Sequence, residues 1–232
     1  MDFLMGWGDE IALGAVVTLK VAFFSLILGL IWGMLGAFAQ VSHSSVARKL
    51  GRAFTVTVRG TPELLIILLV YFGGTIALTK FVKFVAPEIG YIEVPPLQAG
   101  VFALSLVFGG YAAEVLRGAW LAVPVGNIEA ALSLGMSPFT IFRRIRLPLM
   151  MRYALPGLGN YWISLIKDTS LISVVGLEEI MGASKMATSV THEPFKFYAV
   201  AAFIYLAITA VNGGVLTWLE KRSVRGERRI AI

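Results

Sequence analysis

The sequence predicts an all-α, polytopic membrane protein: five transmembrane helices in one domain over residues 1–232, with a long cytoplasmic loop between the third and fourth. Three observations predict it. The chain is 57% hydrophobic and only 15% charged, with a mean hydropathy of +0.80, whereas a soluble domain carries about 25% charged residues to wet its surface. Apolar runs of bilayer length recur along it, and a helix needs about 20 such residues to cross a hydrocarbon core of roughly 30 Å. Lys and Arg alternate between successive connecting segments. An ordinary soluble enzyme is thereby excluded. With no cysteine, a disulfide framework, a thiol nucleophile and cysteine-ligated metal sites are excluded as well. His43 and His192 lie far apart and read as loop residues, not metal ligands.

The first span, residues 11–41, is broken only by Lys20, close enough to the outer end to snorkel. Gly29, Gly33 and Gly36 give it a small-residue face suited to close helix packing. The second, residues 62–80, follows Arg59-Gly60-Thr61-Pro62-Glu63, with Thr61 as the expected cap and Pro62 in the first turn. The third, residues 94–116, is free of charge until Glu114. Tyr111, Glu114 and Arg117 follow at i, i+3 and i+6 and share one stripe, read as interface anchoring plus a local ion pair. The fourth, residues 153–180, is interrupted by Lys167 and Asp168 and loosened near its start by Pro156, Gly157 and Gly159. The fifth, residues 197–219, is the cleanest. Strands are a poor alternative, because barrel strands alternate polar and apolar residues over about 10 positions and these runs do not.

The cations set the orientation. Arg48, Lys49, Arg52 and Arg59 precede the second span; Arg117, Arg143, Arg144, Arg146 and Arg152 follow the third; Lys221, Arg222, Arg225, Arg228 and Arg229 end the chain. The alternate loops hold only Lys80, Lys83, Lys185 and Lys196. By the positive-inside rule the amino terminus is outside and the carboxyl terminus cytoplasmic. Alternation by loop also argues against a nucleic-acid partner, despite a net charge of +6. MDFLMGWGDE lacks a basic region and no cleavage pattern follows, so the first span reads as an uncleaved signal anchor.

The cytoplasmic stretch 119–152 reads as two short helices, 127–134 and 138–145. Gly135 suits a left-handed C-cap, Ser137 an N-cap, and Pro138 the first turn. Glu129 falls in the first turn of the earlier helix, favouring its dipole, and Ala130, Ala131 and Ser133 leave its backbone open to close approach. Either a cytoplasmic partner grips this loop or it rests on lipid headgroups as an amphipathic hairpin. The Lys167-Asp168 pair, followed by Thr169 and Ser170, lies deep in the fourth span. Ionisable groups there cost about 2.5 to 3.5 kcal/mol each on insertion scales unless water, a partner or a solute meets them. A water-filled pathway and an ion pair with a neighbouring helix are the two readings.

There is no Walker A loop, HExxH or GxSxG in the chain. Energy from ATP would have to come from another chain. Against that background, Glu129-Ala130-Ala131, Gly135, Ile145 and Leu147-Pro148 resemble the EAA signature of the membrane subunits of ATP-binding cassette (ABC) importers. Arg59-Gly60-Thr61-Pro62, Tyr111-Ala112-Ala113-Glu114 with Arg117-Gly118, and Lys167-Asp168-Thr169-Ser170-Leu171 are similar to motifs of the polar amino-acid uptake permeases. The resemblance spans roughly residues 11–222. Met151 to Pro156 and Leu219-Glu220-Lys221-Arg222 point to the histidine, lysine-arginine-ornithine and opine branch, with Asn127 standing where many relatives have Gln.

The resemblance implies a five-helix permease subunit, one half of a dimeric pathway in the bacterial inner membrane. Glu129, Ala130, Ala131 and Gly135, with Ile145, Leu147 and Pro148, would couple it to a cytoplasmic ATP-binding cassette dimer. That dimer would hold ATP and Mg, and this chain no cofactor. A periplasmic solute-binding protein would deliver the solute, and a second permease, more expected as a related chain than an identical one, would complete the pore. Substrate contacts are expected at Lys167, Asp168, Thr169 and Ser170, with Glu114 for a cationic side chain. The competing reading is a self-sufficient ion-coupled carrier using Lys167, Asp168 and Glu114 as a relay. Against it stands the lack of an inverted repeat.

Overall fold

A chain this apolar must close its backbone hydrogen bonds locally once it enters lipid, and helices do so. The computed structural model describes residue 4, residues 6–86 and residues 88–223, and every regular element among them is helical. Helices α1 (Gly8–Val41) and α2 (Ser45–Gly60) are followed by α3 (Glu63–Leu68), a π-turn (Leu69–Gly73) and α4 (Gly74–Val85). Next come α5 (Pro96–Ala122), α6 (Val125–Ser133), α7 (Pro138–Ile141), a second π-turn (Phe142–Arg146) and α8 (Leu147–Asp168). A 3₁₀ turn (Thr169–Val175), α9 (Ile180–Thr191) and α10 (Pro194–Ser223) complete the described chain. Among the described residues, four stretches are long and apolar enough to cross a membrane: Gly8–Val41, Glu63–Val85, Pro96–Ala122 and Pro194–Ser223. Arg225, Arg228 and Arg229, counted among the cytoplasmic cations, lie outside the described residues.

Helix α5 is the axis of the bundle, packing against α1, α2, α3 and α8. Its long seam with α1 depends on small residues. A Cβ at Gly29 would lie 2.7 Å from Phe108 Cδ1, one at Gly33 2.7 Å from Ala112 Cβ, and one at Gly109 2.5 Å from Trp32 Cβ. The small-residue face expected on the first span is therefore the packing face. Ser25 on α1 adds a hydrogen bond of 3.2 Å to the Val101 carbonyl of α5. At the other end of α3–α4, Thr79 donates to the Ile92 carbonyl at 3.0 Å, and Thr75 accepts from Val94 N–H at 3.2 Å. These bonds staple the extended segment before α5 to α4.

The structure corrects the sequence reading in four places. The fourth span is not one helix over 153–180: α8 ends at Asp168, and Thr169 and Ser173 then donate to carbonyls three residues back, at 2.7 Å each. The backbone winds there as a 3₁₀ turn, and Gly176, at φ +91°, ends it. Pro156, Gly157 and Gly159 do not break α8. The glycines admit Val115 of α5 and Leu216 of α10, which would lie 2.9 and 2.1 Å from added Cβ atoms. Thr61 does not cap α3; its hydroxyl turns back to the Thr57 carbonyl at 2.8 Å, and Pro62 itself is the N-cap residue. The second short helix of the 119–152 stretch does not stop before Leu147-Pro148. Ser137 caps it as expected, but it runs through the π-turn into α8, with Pro148, which has no N–H to give the ladder, directly after that turn.

Replacing Gly33 with Leu should lower the melting temperature of the purified protein, because overpacking a closed seam costs about 1–3 kcal/mol. Gly118→Ala, at a position with no atom within 4 Å of an added Cβ, should leave it unchanged. Thermal unfolding followed by tryptophan fluorescence checks both.

Candidate functional site

Three elements converge on a small polar cavity inside the bundle. Pro62 starts α3 so that Glu63 is its first residue. Val107, Phe108 and Tyr111 come from one face of α5. Tyr161, Ser164, Leu165 and Asp168 come from α8 at i, i+3, i+4 and i+7, the spacing of a single helical face. Together they enclose about 200 Å³. Tyr111 donates to Glu63 Oε1 at 3.3 Å, and its ring stacks on Tyr161 with centroids 4.5 Å apart and planes 22° apart. No hydrogen bond reaches Asp168 among the described residues. Two carboxylates beside stacked aromatic rings have the chemistry to meet an organic cation through charge-assisted hydrogen bonds. Glu63, Tyr161 and Ser164 were not singled out from sequence as site residues, although Glu63 follows directly on the Arg59-Gly60-Thr61-Pro62 motif.

Of the pathway residues expected from sequence, Asp168 alone lines this chamber. Lys167, about 100° round the helix from it, is exposed. Thr169 is buried, but its hydroxyl is committed to the Ile166 carbonyl and lies 3.5 Å from the Tyr205 hydroxyl. Ser170 is half-buried and its carbonyl accepts from Ser173. Glu114 is in a second, larger cavity of about 640 Å³ lined by Arg48, Lys49, Arg52, Arg59 and Arg117. There it is hydrogen-bonded to Arg117, with Arg59 at 4.0 Å. The local ion pair read from the α5 stripe is thus present, and Tyr111 leaves that stripe to bond Glu63.

The expected partner-binding loop is built on α6. This helix begins at Val125, earlier than expected, so Glu129 falls beyond its first turn. Gly135 takes the left-handed conformation, φ +74°. Its N–H bonds the Leu132 carbonyl at 2.9 Å, and Met136 N–H bonds Ala131 at 3.1 Å, the paired bonds of a Schellman cap. Glu129 and Ala130 are exposed while Ala131 is buried. Val125, Leu132, Leu134 and Phe139 present apolar surface beside them, with Leu134 82% exposed. Ile145 and Leu147 are half-buried and Pro148 exposed. Arg146 lies over the Trp120 ring, 4.1 Å from its centroid, and Phe38 and Phe142 flank that ring. The loop is therefore joined to α5 and α1 through Trp120, and to Asp168 through the unbroken path from α7 to α8.

The sequence reading missed Glu179. Unremarked inside the expected fourth span, it is fully buried at the α9 N-terminus. It accepts from Tyr205 of α10 at 2.5 Å, Gly182 N–H at 2.9 Å and Thr18 of α1 at 3.3 Å. The only sequence signal was an acid just before a helix start, where N-capping acids are common.

The sequence pattern of a family described as the inner membrane component of binding-protein-dependent transport systems matches residues 12–225. The chain belongs to this family. It is 48% identical to a nopaline transport system permease protein of Agrobacterium fabrum, over 96% of this chain and 94% of that one. It is 41% identical to the histidine/lysine/arginine/ornithine transport system permease protein of Escherichia coli K12, over 97% and 98%. A crystal structure of an amino acid ABC transporter with histidines superposes with a TM-score of 0.82 at 30% identity, covering 96% of this chain and 99% of that one. The resemblance read from the motifs thus holds over nearly the whole chain. This protein is a permease subunit of an ABC importer, a role in which ATP hydrolysis belongs to a separate chain. That sets aside the self-sufficient carrier.

Replacing Glu179 with Ala would leave two hydroxyls and a backbone N–H of the permease without their acceptor, at about 1–3 kcal/mol for each group that stays buried and unpaired. A fall of several degrees in melting temperature is expected, and Tyr205→Phe should give a smaller one.

Proposed function

We propose that this permease passes a basic amino acid or an opine across a bacterial inner membrane, with Asp168 and Glu63 receiving the cationic part of the solute. The acidic chamber between α3, α5 and α8 carries the proposal. Two half-buried carboxylates facing one chamber carry a desolvation and repulsion cost that a positive visitor relieves, and the names of the similar permeases are those of systems for nopaline and for histidine, lysine, arginine and ornithine. The stacked Tyr111 and Tyr161 rings suit a guanidinium or ammonium group. Lys167, Thr169 and Ser170 are kept as secondary contacts, reachable if the 3₁₀ turn rearranges during transport.

The amino terminus is placed outside and the α2 and α6 regions in the cytoplasm, following the distribution of Lys and Arg. The exposed face of α6, with Glu129, Ala130 and the apolar side chains beside them, docks on the cytoplasmic ATP-binding cassette dimer, which holds ATP and Mg. A solute-binding protein delivers the solute at the other face, and a second permease, a related chain, completes the pathway. A push on α6 travels through α7, the π-turn and α8 to Asp168, and Trp120 passes the same displacement to α5. Two packed arrangements of these helices, each favoured by a different nucleotide state of the partner, suffice for alternating access.

In vesicles carrying the complete importer, Asp168→Asn should reduce lysine uptake by about tenfold or more, the scale of a lost charge-assisted hydrogen bond. Unchanged uptake would remove Asp168 from the pathway. Gly135→Val forces a β-branched side chain into left-handed backbone. It should leave insertion intact and abolish solute-stimulated ATP hydrolysis, whereas normal stimulation would show that α6 is not the transmission element.

A further inference from the structure

The larger cavity is strongly basic, and the family assignment gives it no task. Helix α2 shows how it is made. With about 100° between successive residues, α2 divides into three faces. Ala47, Gly51, Phe54 and Val58 pack inward, where Gly51 meets Ala39, Phe54 lies against Gly36, and Val58 lies against Gly110. Val46 and Leu50 form an exposed apolar face, 64% and 66% accessible. Arg48, Lys49, Arg52 and Arg59 occupy the third and line the cavity, which Arg117 and Glu114 close from α5.

These cations are not equivalent. Arg48 is committed to the end of α1, donating to the Ser42 and His43 carbonyls at 2.9 and 2.7 Å. Arg59 and Arg117 attend Glu114. The side chains of Lys49 and Arg52 make neither a hydrogen bond nor an ion pair among the described residues, and the one carboxylate in the cavity, whose field Arg52 shares at longer range, is already bonded to Arg117. The cavity is open on one side, and it therefore presents a surplus of positive charge to whatever enters it. It also adjoins the acidic chamber: the Arg59 guanidinium sits 5.6 Å from the centroid of the Tyr111 ring, which lines that chamber. Along α5, Val107, Phe108 and Tyr111 face the acidic side, and Glu114 and Arg117, one and two turns on, face the basic side.

We propose that the basic cavity is an anion subsite of the translocation path, in which Lys49 and Arg52 bind the carboxylate of the solute while Arg59, paired with Glu114, forms the partition from the acidic chamber. This rests on the reading of Asp168 and Glu63 as the cation-binding chamber. Every amino acid carries a carboxylate, and opines carry more than one. A path acidic at one level and basic at the next meets both ends of such a solute in turn. Arg52 offers the planar fork that a carboxylate accepts in bidentate fashion, and Lys49 a mobile point charge. An anionic lipid headgroup has related chemistry, and exposed Val56 lines the cavity beside these cations, so the lipid composition of the vesicle is varied to separate the two sources.

The test uses the purified importer complex in vesicles, without the solute-binding protein, and two probes. Lysine carries a carboxylate; cadaverine is the same diamine without one. The wild-type complex should bind lysine about tenfold more tightly than cadaverine, as one charge-assisted contact provides. The double variant Lys49→Gln/Arg52→Gln should bind both equally, with cadaverine unchanged, and the charge-keeping Lys49→Arg/Arg52→Lys variant should retain the preference. A double Gln variant that still prefers lysine, or a wild-type complex that binds neither probe, overturns the subsite. So does a preference that depends on phosphatidylglycerol in the vesicle and vanishes in phosphatidylcholine, which would assign the cavity to lipid. Asp168→Asn tests the underlying reading separately: if it weakens both probes while the double Gln variant still prefers lysine, the acidic chamber stands and the subsite falls.

Discussion

The close approach of α1 to α5 is the constraint on which the permease depends. In lipid the surrounding chains are as apolar as the helix surfaces, so burial supplies little drive for association, and helices hold together by van der Waals fit and hydrogen bonds. Gly29, Gly33 and Gly109 remove the side chains that would keep the two backbones apart. Ser25 adds the hydrogen bond that fixes their register. With α1 held on one side, α5 keeps Tyr111 and Glu114 turned toward α2, α3 and α8. Both cavities take their shape from that placement.

The protein treats its buried acids in two ways. Glu179 is surrounded by three donors from α1, α9 and α10 and serves as a fixed joint. Half-buried Asp168 has no such donors among the described residues, and half-buried Glu63 is met among them only by the Tyr111 hydroxyl. An acid saturated by its own protein has no capacity left for a visitor. One left short of partners is held at a cost that a passing cation offsets.

Much of the architecture was legible because lipid imposes simple rules. Length and apolarity located α1, α3–α4, α5 and α10, and the glycines on α1 marked the seam. Gly135 announced its left-handed cap because a helix that must stop before Ser137-Pro138 needs such a residue. What escaped depends on tertiary partners. Gly157 and Gly159 looked like breaks because nothing in sequence says that Val115 and Leu216 fill the space beside them. The stop at Asp168 was hidden because the change from α to 3₁₀ winding leaves no trace in hydropathy. Asp168 was visible as a charge in an apolar run. Its companions Glu63, Tyr111 and Tyr161 come from other helices, so sequence spacing does not bring them together. For the same reason Glu114 was grouped with Asp168, when one turn of α5 puts it in a cavity of opposite charge.

The π-turn at Phe142–Arg146 is one extra residue accommodated within an otherwise regular rod. Converting that turn to ordinary α geometry would rotate everything beyond it by about 100° and advance it by about 1.5 Å. Tyr161, Ser164 and Asp168 would all swing off the wall they now share. A screw of that pitch would turn a short axial thrust at one end of the rod into the withdrawal of a charge from the chamber.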